Sequence, residues 1–233
     1  MTERRQPLLV FYGGTFDPVH LGHLAIAEAA RDRLDCPVRM LPASDPPHRA
    51  ATGAGAGHRA AMLALAVEGH EGLEVDLREI DRGIPSRTID TLHEVRAATG
   101  EDQPIALVIG SDSFRGLPSW KGWPGLLDMA HWVVAERAGG PLDGSIDGAL
   151  EAALATVGAR CTDDPRDLHS CPGGRVLRLE QPLHPASSTR IRSLRASGGP
   201  WRAMVPAPVA DYIDRHRLYM APGAGFAMQS KLL

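Results

Sequence analysis

The chain has 233 residues, 43% hydrophobic and 23% charged, with a formal net charge of -3. This excludes disorder of the whole chain, leaves room for one substantial core, and supplies no global attraction to nucleic acid or an anionic membrane. No apolar stretch approaches the ~20 residues of a membrane helix, and residues 1–7 are too short and polar for a secretory signal, so a cytoplasmic protein is expected.

The first apolar run, residues 8–12, reads as a buried strand. It leads into Gly13-Gly14-Thr15-Phe16-Asp17-Pro18-Val19-His20-Leu21-Gly22-His23 and then an alanine-rich helical pattern from about 20 to 34. Two glycines at a strand end predict a sharp turn and let a phosphate approach main-chain N–H groups. His20 and His23 follow at helical spacing, on a face where the helix dipole favours negative charge. A glycine pair alone is ordinarily a turn and a lone histidine ordinarily structural; their conjunction in one strand–turn–helix unit points to a polyphosphate site. The string fits neither the P-loop nor the dinucleotide fingerprint.

Further along, the pattern predicts a strand at 37–41 and a proline-rich loop at 42–49, where ring constraints oppose helix and ladder alike. Residues 53–57 extend that loop flexibly. A helix at 58–67, an alternating strand at 73–80, a helix at 88–98 and a strand at 105–109 come next, the last ending in a turn at Gly110-Ser111-Asp112. A strand at 132–135, a helix at 146–156, a strand at 176–179 and helices at 188–196 and 208–216 complete the series. Strands alternating with helices predict an α/β doubly wound, mostly parallel sheet, as a single domain over residues 8–219. Residues 1–7 and 220–233 are expected to be mobile extensions. Ligands bind such sheets at the carboxyl ends of the strands, where the Gly13 and Gly110 turns both fall.

Cys36, Cys161 and Cys171 are odd in number and widely spaced, which suggests no disulfide framework; with His169 they match no zinc pattern. They are read as thiols without a catalytic role. Ser187, Ser188 and Thr189 enter a helix, first of all a capping signal. The functional alternative is that these hydroxyls, the free N–H groups and Arg192 bind phosphates.

The ordered set of G-G-T-F-D-P-x-H-x-G-H at 13–23, P-P-H-R at 46–49, S-x-T-x-D-T-L at 86–92, Gly110-Ser111-Asp112, Leu117-Pro118-Ser119-Trp120 and S-S-T-x-I-R at 187–192 resembles the bacterial nicotinate-mononucleotide adenylyltransferases. These belong to the H-x-G-H nucleotidyltransferase superfamily. The resemblance covers residues 8–219 and implies a Rossmann-like fold. It implies adenylyl transfer from ATP to nicotinate mononucleotide, giving deamido-NAD and pyrophosphate in NAD biosynthesis. Mg²⁺ would travel on the ATP phosphates without protein ligands, and neither nucleic acid nor membrane would be a partner.

By the same resemblance, His20, His23 and Arg192 serve the transferring phosphates. Gly13, Gly14, Thr15, Phe16, Gly110, Asp112, Arg137, Ser187, Ser188 and Thr189 surround ATP. Ser44, His48, Arg49, Arg87, Thr88 and Trp120 receive the mononucleotide, with Trp120 stacking on the pyridine ring and Thr88 near its carboxylate. Asp112 also fits a helix cap and Trp120 ordinary packing. Two departures stand out: Arg87 replaces a tyrosine common in the family, and Ala186 an isoleucine. The rival readings are a pantetheine-phosphate adenylyltransferase, a non-catalytic nucleotide-binding regulator of the same fold and, more remotely, a fragment of a tRNA synthetase.

Overall fold

In a computed structural model, residues 6–44, 53–135 and 158–221 are described. Their strands are β1 (Leu9–Gly14), β2 (Val38–Pro42), β3 (Leu73–Val75), β4 (Ile105–Gly110), β5 (His131–Ala135), β6 (Cys161–Thr162) and β7 (Val176–Leu179). They form one sheet in the order β3-β2-β1-β4-β5-β7-β6, each pair parallel. The described α-helices are α1 (Leu21–Leu34), α2 (Ala56–Val67), α3 (Arg78–Asp81), α4 (Thr88–Thr99), α5 (Ser111–Arg115), α6 (Leu126–Met129), α7 (Ser188–Ser197) and α8 (Ala207–Arg215).

Side chains alternate across a strand, so the apolar runs of β1 and β4 feed two cores at once. Val10, Tyr12, Ala106 and Val108 pack with Leu24 and Ala27 of α1, Met62 and Leu63 of α2, and Val209 and Ile213 of α8. Phe11, Ile105, Leu107 and Ile109 face the other way, onto Leu92 and Val95 of α4, Phe114 of α5 and Leu126 of α6. Each large aliphatic so buried stabilises the fold by about 1.5–3 kcal/mol before conformational entropy is counted. Helices therefore cover both faces, which is the doubly wound arrangement.

From β1 the chain steps outward through β2 to β3; after α4 it returns to β4 on the opposite side of β1. The strand order thus reverses between β1 and β4, and a crevice opens at their carboxyl ends. Tyr12 pairs with Val108, so the two strands end level, at Gly14 and Gly110. Helices that follow parallel strands start at this same edge, which brings the N-termini of α1, α4, α5 and α7 towards it.

Four local expectations are corrected. The strand expected at 73–80 stops at Val75, because the Asp76 carboxylate accepts the Arg78 N–H at 3.1 Å and turns the chain into α3. Gly13 and Gly14 do not turn the chain; they are the last residues of β1, and the left-handed residue is Phe16, with φ 50°. Gly110-Ser111-Asp112 is a direct passage from β4 into α5. Helix α2 begins at Ala56, inside the stretch expected to be flexible. The helix expected at 146–156 lies outside the described residues.

Candidate active site

The turn after β1 is built around the Phe16 ring. A Cβ on Gly14 would stand 2.9 Å from its Cζ, so the glycine is required by the ring that folds back over it. Phe16 packs edge-on against Tyr12 at 5.5 Å and His23 at 4.9 Å between centroids. Gly13 is exposed, and a Cβ there would meet nothing within 4 Å.

His20 is not within helix α1 but is its N-cap, in extended conformation. Its Nδ1 accepts the His23 N–H at 3.3 Å, and the His23 Nδ1 accepts the His20 N–H at 3.3 Å. Two histidines thus form a reciprocal capping box, and their rings stack with centroids 3.6 Å apart. An Nδ1 that accepts leaves the proton of a neutral ring on Nε2, so both rings are set as Nε2 donors. Both are buried, at 7% and 6% exposure, which strengthens any bond they make to an anion.

The start of α7 lies alongside. Ser187 is its N-cap, accepting the Arg190 N–H at 3.2 Å, so the capping reading holds for that residue. The Ser188 hydroxyl donates to the Pro18 carbonyl at 3.0 Å, fastening α7 to the approach to α1. His20, His23, Ser187, Ser188 and Thr189 line one cleft of ≈ 380 Å³. Arg192 donates from Nη1 to the Asp17 carbonyl at 2.5 Å and so stands beside the same turn. Buried Arg59 donates to the carbonyls of Thr15 at 2.7 Å and Ala43 at 2.6 Å, tying the turn to the end of β2.

A second recess, ≈ 510 Å³, is lined by Ser86, Arg87, Thr88, Ser119, Trp120, Lys121 and Leu126. Three residues expected at the mononucleotide therefore come together. The Trp120 ring is backed edge-on by Trp132 at 6.2 Å, which holds it at the pocket wall. Ser44 donates its hydroxyl proton to the Ile84 carbonyl at 2.9 Å and accepts the Ser86 N–H at 3.1 Å, so it fastens this wall from behind. Arg82 donates to the Ser86 hydroxyl at 2.9 Å, and Thr91 donates to Glu79 at 2.7 Å. Burial pushes the Glu79 carboxyl up.

Gly110 ends β4 level with Gly14 at the end of β1, and exposed Asp112 follows in α5, ion-paired with Arg115. His48, Arg49 and Arg137 lie outside the described residues. Cys36, Cys161 and Cys171 are free thiols; burial, then Asp35, pushes the Cys36 thiol up. Sequence reasoning missed Arg59, Ser86 and Lys121. No periodic signal marks an arginine whose partners are carbonyls remote in sequence, although Ser86 stands in a motif already noted.

A model of the cytidylyltransferase-like family matches residues 11–194. A protein of Stenotrophomonas maltophilia named "Probable nicotinate-nucleotide adenylyltransferase" is 52% identical over 220 residues, covering 92% of this chain and 98% of its own. One of Xylella fastidiosa with the same name is 42% identical over 217 residues, covering 91% and 96%. Among solved structures, the nicotinic acid mononucleotide adenylyltransferase of Plasmodium falciparum complexed with NaAD superposes with a TM-score of 0.68 at 15% identity, covering 92% of this chain and 98% of that one. The last likeness bears on fold; sequence identity over nearly the whole chain settles kinship, and the chain belongs to the cytidylyltransferase-like family and, within it, to the nicotinate-nucleotide adenylyltransferases.

Proposed function

We propose that the chain transfers the adenylyl group of ATP to nicotinate mononucleotide, releasing deamido-NAD and pyrophosphate, as a cytoplasmic enzyme of NAD biosynthesis with residues 8–219 as its catalytic domain. The observation that carries this reading is the pair of recesses at the switch-point edge. One is polar and holds the stacked histidines; the other is walled by Trp120 and Thr88.

A phosphate monoester has a second pKa near ~6, so at neutral pH its oxygen is already an anionic nucleophile and needs no general base. The mononucleotide oxygen attacks the α-phosphorus of ATP; that P–O bond forms while the bond to the β-phosphate bridge breaks, and pyrophosphate carries the electron pair away. The protein's task is to align two anions and to stabilise charge in the transition state. In this reading His20 and His23 donate from Nε2 to the transferring phosphate. Arg192, Ser187, Ser188, Thr189 and the N–H groups of α7 hold the β- and γ-phosphates.

The main chain of Gly13, Gly14, Thr15 and Phe16 lies along ATP, and Gly110, Asp112 and Arg137 attend its nucleoside. His48 and Arg49 receive the mononucleotide phosphate; Trp120 stacks on the pyridine, with Thr88 and Arg87 at its carboxylate. Mg²⁺ would be held by the ATP phosphate oxygens, where it would supply charge neutralisation for the leaving pyrophosphate.

The test is incubation with ATP, Mg²⁺ and, separately, nicotinate mononucleotide, nicotinamide mononucleotide or phosphopantetheine, with the product identified by mass. Deamido-NAD is expected. A product from phosphopantetheine alone would move the chain to the pantetheine branch, and no product from any acceptor would make it a nucleotide-binding regulator.

A further inference from the structure

Asp17 is a meeting point of four segments, and the chemistry already described does not use it. Its carbonyl accepts from Arg192 Nη1 at 2.5 Å. Its carboxylate Oδ1 accepts both the Ala54 N–H at 2.9 Å and the Tyr219 hydroxyl at 2.7 Å. Oδ2 lies 3.9 Å from Arg192 Nη1, too far for a hydrogen bond. Gly53 makes room for this carboxylate, since a Cβ there would stand 1.9 Å from Oδ2.

Tyr219 reaches Asp17 across 202 residues of sequence from just beyond α8, and holds a left-handed φ of 60° to do so. A non-glycine residue adopts that conformation at a cost that the surrounding contacts must meet. The hydroxyl is a lasting donor, because burial and the adjacent Asp17 carboxylate push its pKa well above the usual tyrosine value.

An arginine closed bidentately on a carboxylate is a strong pair that a phosphate must first break. Here one oxygen of Asp17 is occupied by two other donors, and the guanidinium is held instead by the neutral carbonyl. We propose that Tyr219 is a positioning residue for ATP: by engaging the Asp17 carboxylate together with the Ala54 N–H, it keeps that carboxylate from closing on Arg192 and leaves the guanidinium transferable to a phosphate. This rests on Arg192 binding the ATP phosphates.

The experiment is calorimetric titration of ATP with Mg²⁺, without mononucleotide, into wild type, Tyr219→Phe, Asp17→Asn/Tyr219→Phe and Arg192→Ala, with the KM for the mononucleotide taken from steady-state turnover of wild type and Tyr219→Phe. Arg192→Ala should weaken ATP at least tenfold. Tyr219→Phe should weaken it about fivefold with the KM for the mononucleotide unchanged, and the double variant should return to within about twofold of wild type, because an amide at position 17 no longer competes for the guanidinium. A merely structural tyrosine would lower affinity for both substrates and would not be rescued by Asp17→Asn.

Unchanged ATP affinity in Arg192→Ala refutes the phosphate role of Arg192 and this proposal with it. Weakened ATP in Arg192→Ala with wild-type affinity in Tyr219→Phe, or with no recovery in the double variant, overturns the role of Tyr219 alone. Should Tyr219→Phe not fold, Asp17→Asn by itself decides: ATP affinity equal to wild type or tighter supports the proposal, and weaker binding overturns it.

Discussion

Gly22 lies directly against the imidazole of His20: a methyl group on its Cα would stand 3.1 Å from both Cε1 and Nδ1 of the ring. The glycine of H-x-G-H is thus room for the first histidine. Gly22→Ala should push the ring aside and lower kcat by tenfold or more. Fold stability should change little, because the roughly 0.5–1 kcal/mol by which alanine is favoured over glycine in a helix offsets the about 1 kcal/mol of cap lost with the displaced ring. Turnover measured beside thermal unfolding checks this; a variant with normal kcat would show that His20 has no fixed position to lose.

His20 and His23 each do two things, capping with Nδ1 and donating with Nε2. Alanine would remove both and confuse the readout, costing about 1 kcal/mol of cap as well as chemistry. Asparagine retains a cap acceptor near the Nδ1 position and lacks the Nε2 donor. His20→Asn and His23→Asn should therefore unfold near the wild-type temperature while losing roughly a hundredfold in kcat, the scale of a lost bond of about 3 kcal/mol in the transition state. Near-normal kcat in both variants would confine the histidines to capping.

Away from the site, His131 is a pH-dependent strut. Its Nε2 donates to the Cys171 carbonyl at 2.9 Å and its Nδ1 accepts the Arg175 N–H at 3.1 Å, joining β5 to the segment before β7. Burial above all, with the charges of Arg175 and Arg96 adding to it, lowers its pKa from 6.5 to about 4. The fold therefore favours the neutral ring. Its contribution is complete above pH 6.5 and is lost as pH falls towards 4, amounting to roughly 3 kcal/mol across that window. Denaturant unfolding at several pH values should show wild type losing that much more stability than His131→Asn over the same range; equal pH slopes would remove His131 from the account.

Acceptor choice should be set in the pocket of Thr88, Trp120 and Arg87. Nicotinate and nicotinamide mononucleotides differ by a carboxylate against a neutral amide, and donors aimed at that position favour the acid. Trp120→Ala should raise KM for both acceptors, Thr88→Ala should reduce the ratio of their kcat/KM values, and Arg87→Tyr should reduce it about threefold, the modest effect of an exposed charge. Equal use of the two acceptors by wild type would refute the assignment of nicotinate, and an unaltered ratio in both Thr88→Ala and Arg87→Tyr would place carboxylate recognition elsewhere.

What could be read from the chain follows from local rules. Apolar runs at 8–12, 105–109 and 132–135 are buried on both faces and so carry the strand signal within themselves. The alternation with helices dictates a parallel doubly wound sheet and puts Gly13, His20, Gly110 and Ser188 at one edge. Residues close in sequence, such as Arg87 and Thr88, meet in the pocket because a motif carries them together.

The strand expected at 73–80 ends early because its alternation is genuine only as far as Val75, where the capping carboxylate of Asp76 stops it. Sequence determined the architecture, the strand edge that bears the site and the family, since these depend on periodicity and contiguous motifs. Tertiary structure alone decided that two histidines cap one another's N–H groups, that Arg59 holds the turn through the Thr15 and Ala43 carbonyls, and that Tyr219 reaches Asp17. A hydrogen bond between groups 44 or 202 residues apart leaves no periodic trace in the chain; it exists only once the sheet has brought its strand ends to one edge.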